Sequence, residues 1–260
     1  MIINSLNKLV TGLLITSILL LNCQNDDKVK TLNYTVVNTF PHSTDNFTQG
    51  LIWESDTLYE GTGHEMKSRI FKTNPKTGEI YDSIHIADNL FGEGICKINS
   101  KIYQLTWRNH IVLVYNSHNL EKITTYPLVT EGWGLCTDGK YLIVSDGTNT
   151  LSYYSPDNFE FVKKIFVKNK NIKVSELNEL EYANGFIYAN QWNRNLIYKI
   201  DPQTGQVKGI ANLQGLFDLS RKKYSNCDVL NGIAYNSNSD NFYVTGKYWS
   251  NLYEIKLTEK

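Results

Sequence analysis

One five-residue stretch returns five times along this chain. It reads Phe-Thr-Gln-Gly-Leu at 47–51, Phe-Gly-Glu-Gly-Ile at 91–95 and Glu-Gly-Trp-Gly-Leu at 131–135. It returns as Glu-Leu-Asn-Glu-Leu at 176–180 and Val-Leu-Asn-Gly-Ile at 229–233. Each copy opens the same run: a short apolar segment, a polar turn, then a second segment rich in Tyr, Ile, Val and Phe. Short β-branched and aromatic runs bounded by turn residues read as strands. A period of about 40–50 residues with several strands per unit is the pattern of propeller blades. The repeat therefore predicts an all-β chain, a five-bladed β-propeller spanning residues 33–257 as one domain.

Four of the repeats carry four strand-like runs, but the fifth carries three before the chain ends. A spare run at 34–40 stands at the other end of the sequence. The ring is expected to be closed by this N-terminal strand, paired into the last blade, which removes exposed sheet edges. Residues 213–227 interrupt the repeat between the fourth and fifth blades and read as an insertion with a short helix near one rim.

Lys plus Arg balances Asp plus Glu at 26 each. Such a neutral chain lacks the basic excess of a nucleic-acid-binding surface. The first residues stand apart. Lys8 precedes an apolar run from Leu9 to Leu21, too short to span a bilayer and suited to a signal-peptide core. The run ends at Leu20-Leu21-Asn22-Cys23, which resembles a bacterial lipobox, although Asn22 replaces the usual small residue. Residues 1–22 are thus expected to be a lipoprotein signal peptide, Cys23 the lipidated residue and 23–32 a tether. The protein would be exported and held by lipid on a bacterial membrane, at its periplasmic or cell-surface face. Cys96 and Cys136 occupy one repeat position and read as small core residues. The five histidines show no metal-ligand spacing. No metal, no other cofactor and a monomer are expected.

Aligning the repeats isolates two variable positions. The residue just past each second strand is Gly63, Trp107, Gly147, Trp192 or Lys247. Fourteen residues earlier in the first four repeats stand Gln49, Glu93, Trp133 and Asn178; in the fifth, sixteen earlier, stands Asn231. A blade's first strand lines the central channel and its second runs antiparallel, so both sets should surround one mouth. The next position is Gly50, Gly94, Gly134, Glu179 and Gly232, where glycine permits close approach of backbones. Polar groups and indoles gathered at one mouth are how small-ligand sites are built.

The same motifs carry a family likeness. Phe47-Thr-Gln-Gly-Leu, Phe91-Gly-Glu-Gly, Gly132-Trp-Gly-Leu, Ser145-Asp-Gly-Thr, Leu177-Asn-Glu-Leu-Glu-Tyr, Leu230-Asn-Gly-Ile-Ala and Val244-Thr-Gly-Lys resemble the plant and bacterial glutaminyl-peptide cyclotransferases. The resemblance covers essentially all of residues 34–257. It implies a five-bladed β-propeller that converts an N-terminal glutamine of peptides or proteins into pyroglutamate, releasing ammonia without catalytic zinc. It also implies a substrate site at Phe47, Gln49, Phe91, Trp107, Trp133, Asn178, Trp192 and Lys247, with Glu93 among them.

Glu93 is the acid of the variable ring and is expected to be the general acid/base, since apolar neighbours raise a carboxyl pKa toward the useful range. Glu131, Glu176 and Glu179 are rival acids; Glu179, at the glycine position, could instead face the channel. Two other readings predict different chemistry. A non-catalytic peptide- or sugar-binding propeller lipoprotein would use the same aromatic ring without turnover. A metal-dependent lactonase-type propeller would need acidic or Asn ligands on the axis.

Overall fold

The computed structural model describes residues 28–260. The expected signal peptide at 1–22, Cys23 and the first half of the expected tether, through residue 27, lie outside the described residues. The first strand, β1 (Lys30–Pro41), is followed by an antiparallel meander of β2 (Thr48–Glu54), β3 (Thr57–Thr62), β4 (Arg69–Thr73) and β5 (Ile80–His85). The meander recurs as β6 (Gly92–Ile98), β7 (Lys101–Thr106), β8 (Ile111–Asn116) and β9 (Lys122–Pro127). It recurs again as β10 (Leu135–Thr137), β11 (Leu142–Ser145), β12 (Thr150–Tyr154) and β13 (Phe161–Phe166). A small hairpin, β14 (Lys168–Asn169) with β15 (Ile172–Lys173), comes next and was not expected from the repeat.

The chain continues through β16 (Leu177–Ala183), β17 (Phe186–Gln191), β18 (Leu196–Ile200) and β19 (Val207–Asn212). The helix α1 (Gln214–Lys223) then fills the expected insertion, before β20 (Leu230–Asn236), β21 (Asn241–Gly246) and β22 (Asn251–Glu259). Arg221, Lys222 and Lys223 stand in its last turn, where the helix dipole favours cations. Leu216 turns inward to the core around Trp249. Apart from this helix the architecture is all-β.

Local chemistry explains the regular turns. Between β2 and β3, Ser55 and Asp56 both have positive φ, and Asn184-Gly185 does the same between β16 and β17. Paired positive φ values define the tight hairpin turns whose twist matches flanking strands. Between third and fourth strands a short polar side chain caps the turn each time. Asn74 Oδ1 accepts from Lys76 N, Asn116 Oδ1 from His118 N, Ser155 Oγ from Asp157 N and Asp201 Oδ1 from Gln203 N, at 2.8–3.3 Å.

Strand β1 runs antiparallel beside β22 over almost its whole length. Its first residues, Lys30–Leu32, also pair in parallel with Gly209–Ala211 of β19. It therefore joins β16–β19 and β20–β22 into one eight-stranded sheet. This corrects the expected tether: Lys30–Leu32 are strand, because Leu32 is buried in an apolar cluster with Ile197 and Ala211.

The first strands pack on one another in sequence, β2 on β6, β6 on β10, β10 on β16, β16 on β20 and β20 back on β2. Apolar layers fill the space between neighbours, such as Cys96 and Leu105 with Leu135 and Val144, or Cys136 and Ile143 with Leu180 and Ile187. Cys96 and Cys136 are accordingly core residues. At the axis the backbones touch. A Cβ on Gly134 would lie 1.9 Å from the Asn178 carbonyl oxygen, and one on Gly50 2.5 Å from Ile95 N. Glu179, the exception to glycine here, is fully buried, and its carboxyl accepts from Leu51 N at 3.3 Å and Ile233 N at 2.8 Å.

Candidate active site

Strands β2, β6, β16 and β20 each begin two residues before Gly50, Gly94, Glu179 and Gly232, and the reason bears on the site. Their pairing with the second strand shifts register at Thr48/Gly50, Gly92/Ile95, Leu177/Leu180 and Leu230/Ile233. The residues left out of register include Gln49, Glu93, Asn178 and Asn231. A bulge frees a residue from the ladder and re-aims its side chain. In the third sheet β10 starts only at Leu135, so Trp133 precedes the strand. Four of the five repeats thus build one bulge, and among them only the side chain it presents changes.

The presented side chains meet. Phe47, Gln49, Phe91, Glu93, Trp107, Trp133, Asn178, Trp192 and Lys247 line a single open cavity of about 280 Å³. His64 and Asp228 line it too and were not expected. Each lies one residue beyond a recognised motif position: His64 follows Gly63, and Asp228 precedes the fifth copy of the motif. That adjacency was the available signal.

The aromatic walls are interlocked. Phe91 stands edge-on to Phe47 at 6.0 Å and to Trp107 at 5.5 Å, while Trp133 and Trp192 meet edge-on at 5.8 Å. His64 packs 4.4 Å from Phe47, and its Nε2 bonds the Tyr248 hydroxyl at 2.6 Å. The two glycines of the outer ring make room for this. A Cβ on Gly63 would lie 2.4 Å from the Phe91 ring, and one on Gly147 2.7 Å from the Trp133 ring.

Among these rings sit four buried polar groups. Glu93 is 5% exposed; burial pushes its carboxyl well above the ordinary range, Lys247 opposes that and Glu131 adds to it. Lys247 is equally buried, and burial pulls its amine below the usual lysine range against the attraction of Glu93 and Asp228. Its Nζ lies 4.3 Å over the Phe47 ring. Acid and amine are thus each pushed toward the neutral form. Gln49 Oε1 accepts from Asn231 Nδ2 at 2.9 Å. Asn231 therefore braces Gln49 instead of lining the cavity. Asn178 Oδ1 is buried with no partner. A buried acceptor without a donor is costly unless a ligand supplies one.

The rival acids take other positions. Glu131 lies outside the cavity lining and accepts the indole N–H groups of Trp107 and Trp133. Glu176 is exposed and works through its backbone, bonding Gly147 O and Trp192 N. Glu179 serves the axis. Among the described residues, no group of three His, Cys, Asp or Glu side chains is placed to hold a metal ion.

A buried carboxyl and a buried amine beside an unpaired amide oxygen, walled by aromatic rings, form an all-β site suited to holding a small polar group and moving protons on it. The sequence narrows the class. The model of the glutamine cyclotransferase family matches residues 9–257, and the chain belongs to that family. It is 38% identical over 227 residues to the glutaminyl-peptide cyclotransferase of Arabidopsis thaliana, covering 86% of this chain and 71% of that protein. The crystal structure of Myxococcus xanthus glutaminyl cyclase superposes with a TM-score of 0.85 at 32% identity, covering 90% of this chain and all of that one.

Proposed function

We propose that the chain is a glutaminyl-peptide cyclotransferase, acting on peptides or proteins that begin with glutamine, on a five-bladed β-propeller closed by β1. Family membership supplies the reaction class. The observation that carries the mechanism is the buried Glu93 carboxyl in a wall shared with Lys247 and the unpaired Asn178 oxygen.

The reaction joins the substrate's α-amine nitrogen to its own Cδ and breaks the bond from Cδ to the amide nitrogen. Nucleophile and carbonyl belong to one residue, so holding the side chain folded back removes much of the entropic barrier. Glu93, as carboxylate, takes a proton from the attacking amine and then gives it to the departing nitrogen, which leaves as ammonia. Its raised pKa makes the carboxylate a better base and keeps the acid form accessible for the second step. Asn178 Oδ1 accepts from the substrate's N–H groups. Gln49, its oxygen occupied by Asn231, offers its amide N–H to the developing oxyanion. Lys247 supports the same charge, or the following peptide carbonyl. Phe47, Phe91 and the three indoles enclose the glutamine stem and exclude water.

The wider reading follows the sequence: a lipid anchor at Cys23 after export, a monomer, and catalysis without a metal. Glu93→Gln should lower ammonia release from a Gln-initiated peptide at least a hundredfold, as expected for loss of general acid/base catalysis, roughly 10²–10⁴-fold. The product is checked by mass for loss of one ammonia. Near-normal turnover would remove Glu93 from the role, and ammonia release abolished by chelator would refute the metal-free mechanism.

A further inference from the structure

Trp107 leaves the second sheet at the end of β7, and Trp133 enters the third just before β10. Their indole N–H groups converge on one atom: Glu131 Oε2 accepts from Trp107 Nε1 at 2.9 Å and from Trp133 Nε1 at 3.1 Å. The other oxygen, Oε1, accepts from Arg108 Nε at 3.3 Å, and the Arg108 guanidinium lies 3.9 Å over the Trp107 ring. Indoles in apolar surroundings require an acceptor for their N–H, and an ionised acceptor gives bonds about twice as strong as a neutral one.

We infer that Glu131 is a positioning residue for the cyclisation: its single carboxylate ties Trp107 to Trp133 and so sets the width of the pocket between two sheets. Its side chain is about one-third exposed at the rim and outside the cavity lining, so it acts through the indoles without touching the substrate. Trp107 is then fixed on three sides, by Glu131 at its N–H, Arg108 on its face and the edge-on Phe91. Trp133 is fixed by Glu131, by Trp192 and by the bare backbone of Gly147 beneath it. A second consequence is electrostatic. The charged groups facing Glu93 are Lys247 and Glu131, with Asp228 and His64 on the same cavity wall. Burial is the largest influence on Glu93, Lys247 draws its pKa down, and Glu131 pushes it up.

This inference rests on the cyclotransferase reading, and its test separates the two. The full chain, Glu131→Gln and Glu131→Ala are compared for kcat and KM on a Gln-initiated peptide across pH. They are also compared for the indole N–H signals of the five tryptophans in an amide-proton NMR spectrum. Glu131→Ala is expected to lower kcat/KM at least tenfold, mainly through KM. Glu131→Gln keeps one acceptor oxygen and should fall between. In both, the acidic limb of the kcat profile should move to lower pH, since a negative charge near Glu93 is gone, and two indole signals should shift. Variants within twofold of the parent, or a lower kcat/KM with an unmoved limb and five unmoved indole signals, overturn the inference. A parent that releases no ammonia refutes the functional reading instead, and the indole signals still judge the clamp.

Discussion

Gly63→Ala probes the site without removing any functional group. Gly63 follows β3 and lies beneath the Phe91 ring; its φ is outside the left-handed region, so alanine fits its backbone. The added methyl would sit 2.4 Å from Phe91 Cε1, 2.8 Å from Cζ and 3.1 Å from Gln49 Cγ. Carbon atoms rest about 3.5–4.0 Å apart. Phe91 must therefore retreat by about 1.1 Å or more, the difference between 3.5 and 2.4 Å. Such overpacking costs roughly 1–3 kcal/mol of stability. The functional cost should be larger, because a displacement of about 1 Å in a positioned site is worth about 10²-fold in rate. Gly139→Ala is the matched control. It has open space around it but φ of +86°, so it takes a backbone cost of roughly 1–2 kcal/mol with no contact to the pocket. The assay is kcat/KM for ammonia release beside a thermal melt. Gly63→Ala should lose activity out of proportion to its melting shift, and Gly139→Ala should lose only stability. Equal activity in the two variants would refute the view that glycine is present to seat Phe91.

Two further outcomes concern buried charge. Glu179→Ala leaves the N–H groups of Leu51 and Ile233 without their acceptor. At roughly 1–3 kcal/mol for each unsatisfied group, urea denaturation should show a loss of about 2–6 kcal/mol, and a loss under 1 kcal/mol would refute the axial role. His42 and Glu60 form a buried pair at 3.1 Å linking the β1–β2 loop to β3, with Asn46 and Thr48 also bonded to Glu60. Burial is the largest influence on each group and opposes both charges, but Glu60 with the Trp249 backbone outweighs it for His42, and His42 with Thr48 and Asn46 outweighs it for Glu60, so His42 is raised from 6.5 and Glu60 lowered from 4.5. The raised histidine stabilises fully below its unfolded value and loses that contribution as pH rises through its folded pKa. The depressed glutamate stabilises above its unfolded value and loses that contribution as pH falls through its folded pKa. The stability gap between the parent and His42→Gln, followed by melting, should therefore be widest between about pH 4.5 and 6.5. A gap that is flat across pH would show that the pair is not ionised in the fold.

Much of this was legible because a repeat compares a chain with itself. Positions that stay constant across the copies, such as Gly50, Gly94 and Gly134, report the scaffold, and the structure shows backbone where a Cβ would stand. Positions that vary, such as Gln49, Glu93 and Asn178, report the site, and they meet in one cavity. What escaped the reading had no counterpart in other copies. The β14–β15 hairpin occurs once; His64 and Asp228 sit one residue outside the aligned positions. Asn231 was read with the ring, yet it faces Gln49, because the pattern gives a residue's position and not the partner its side chain selects. The parallel pairing of Lys30–Leu32 with β19 escaped because three residues are too few to carry an alternation pattern.

The bulges explain why so small a site can be assembled from so many separate strands. A regular first strand would commit each residue near its start to the ladder, with side chains alternating toward neighbouring sheets. Skipping the register at Thr48/Gly50, Gly92/Ile95, Leu177/Leu180 and Leu230/Ile233 releases a residue at the same height in each. The following glycine lets the next backbone close in, as Gly134 does against Asn178. The released side chain is then buried by geometry before any ligand arrives, and this is what drives Glu93 toward protonation. Pocket chemistry and scaffold are therefore coupled at adjacent residues. A glycine follows the bulged Gln49, Glu93 and Asn231 and leaves room at the axis, so the presented side chain changes between amide and acid on one backbone path.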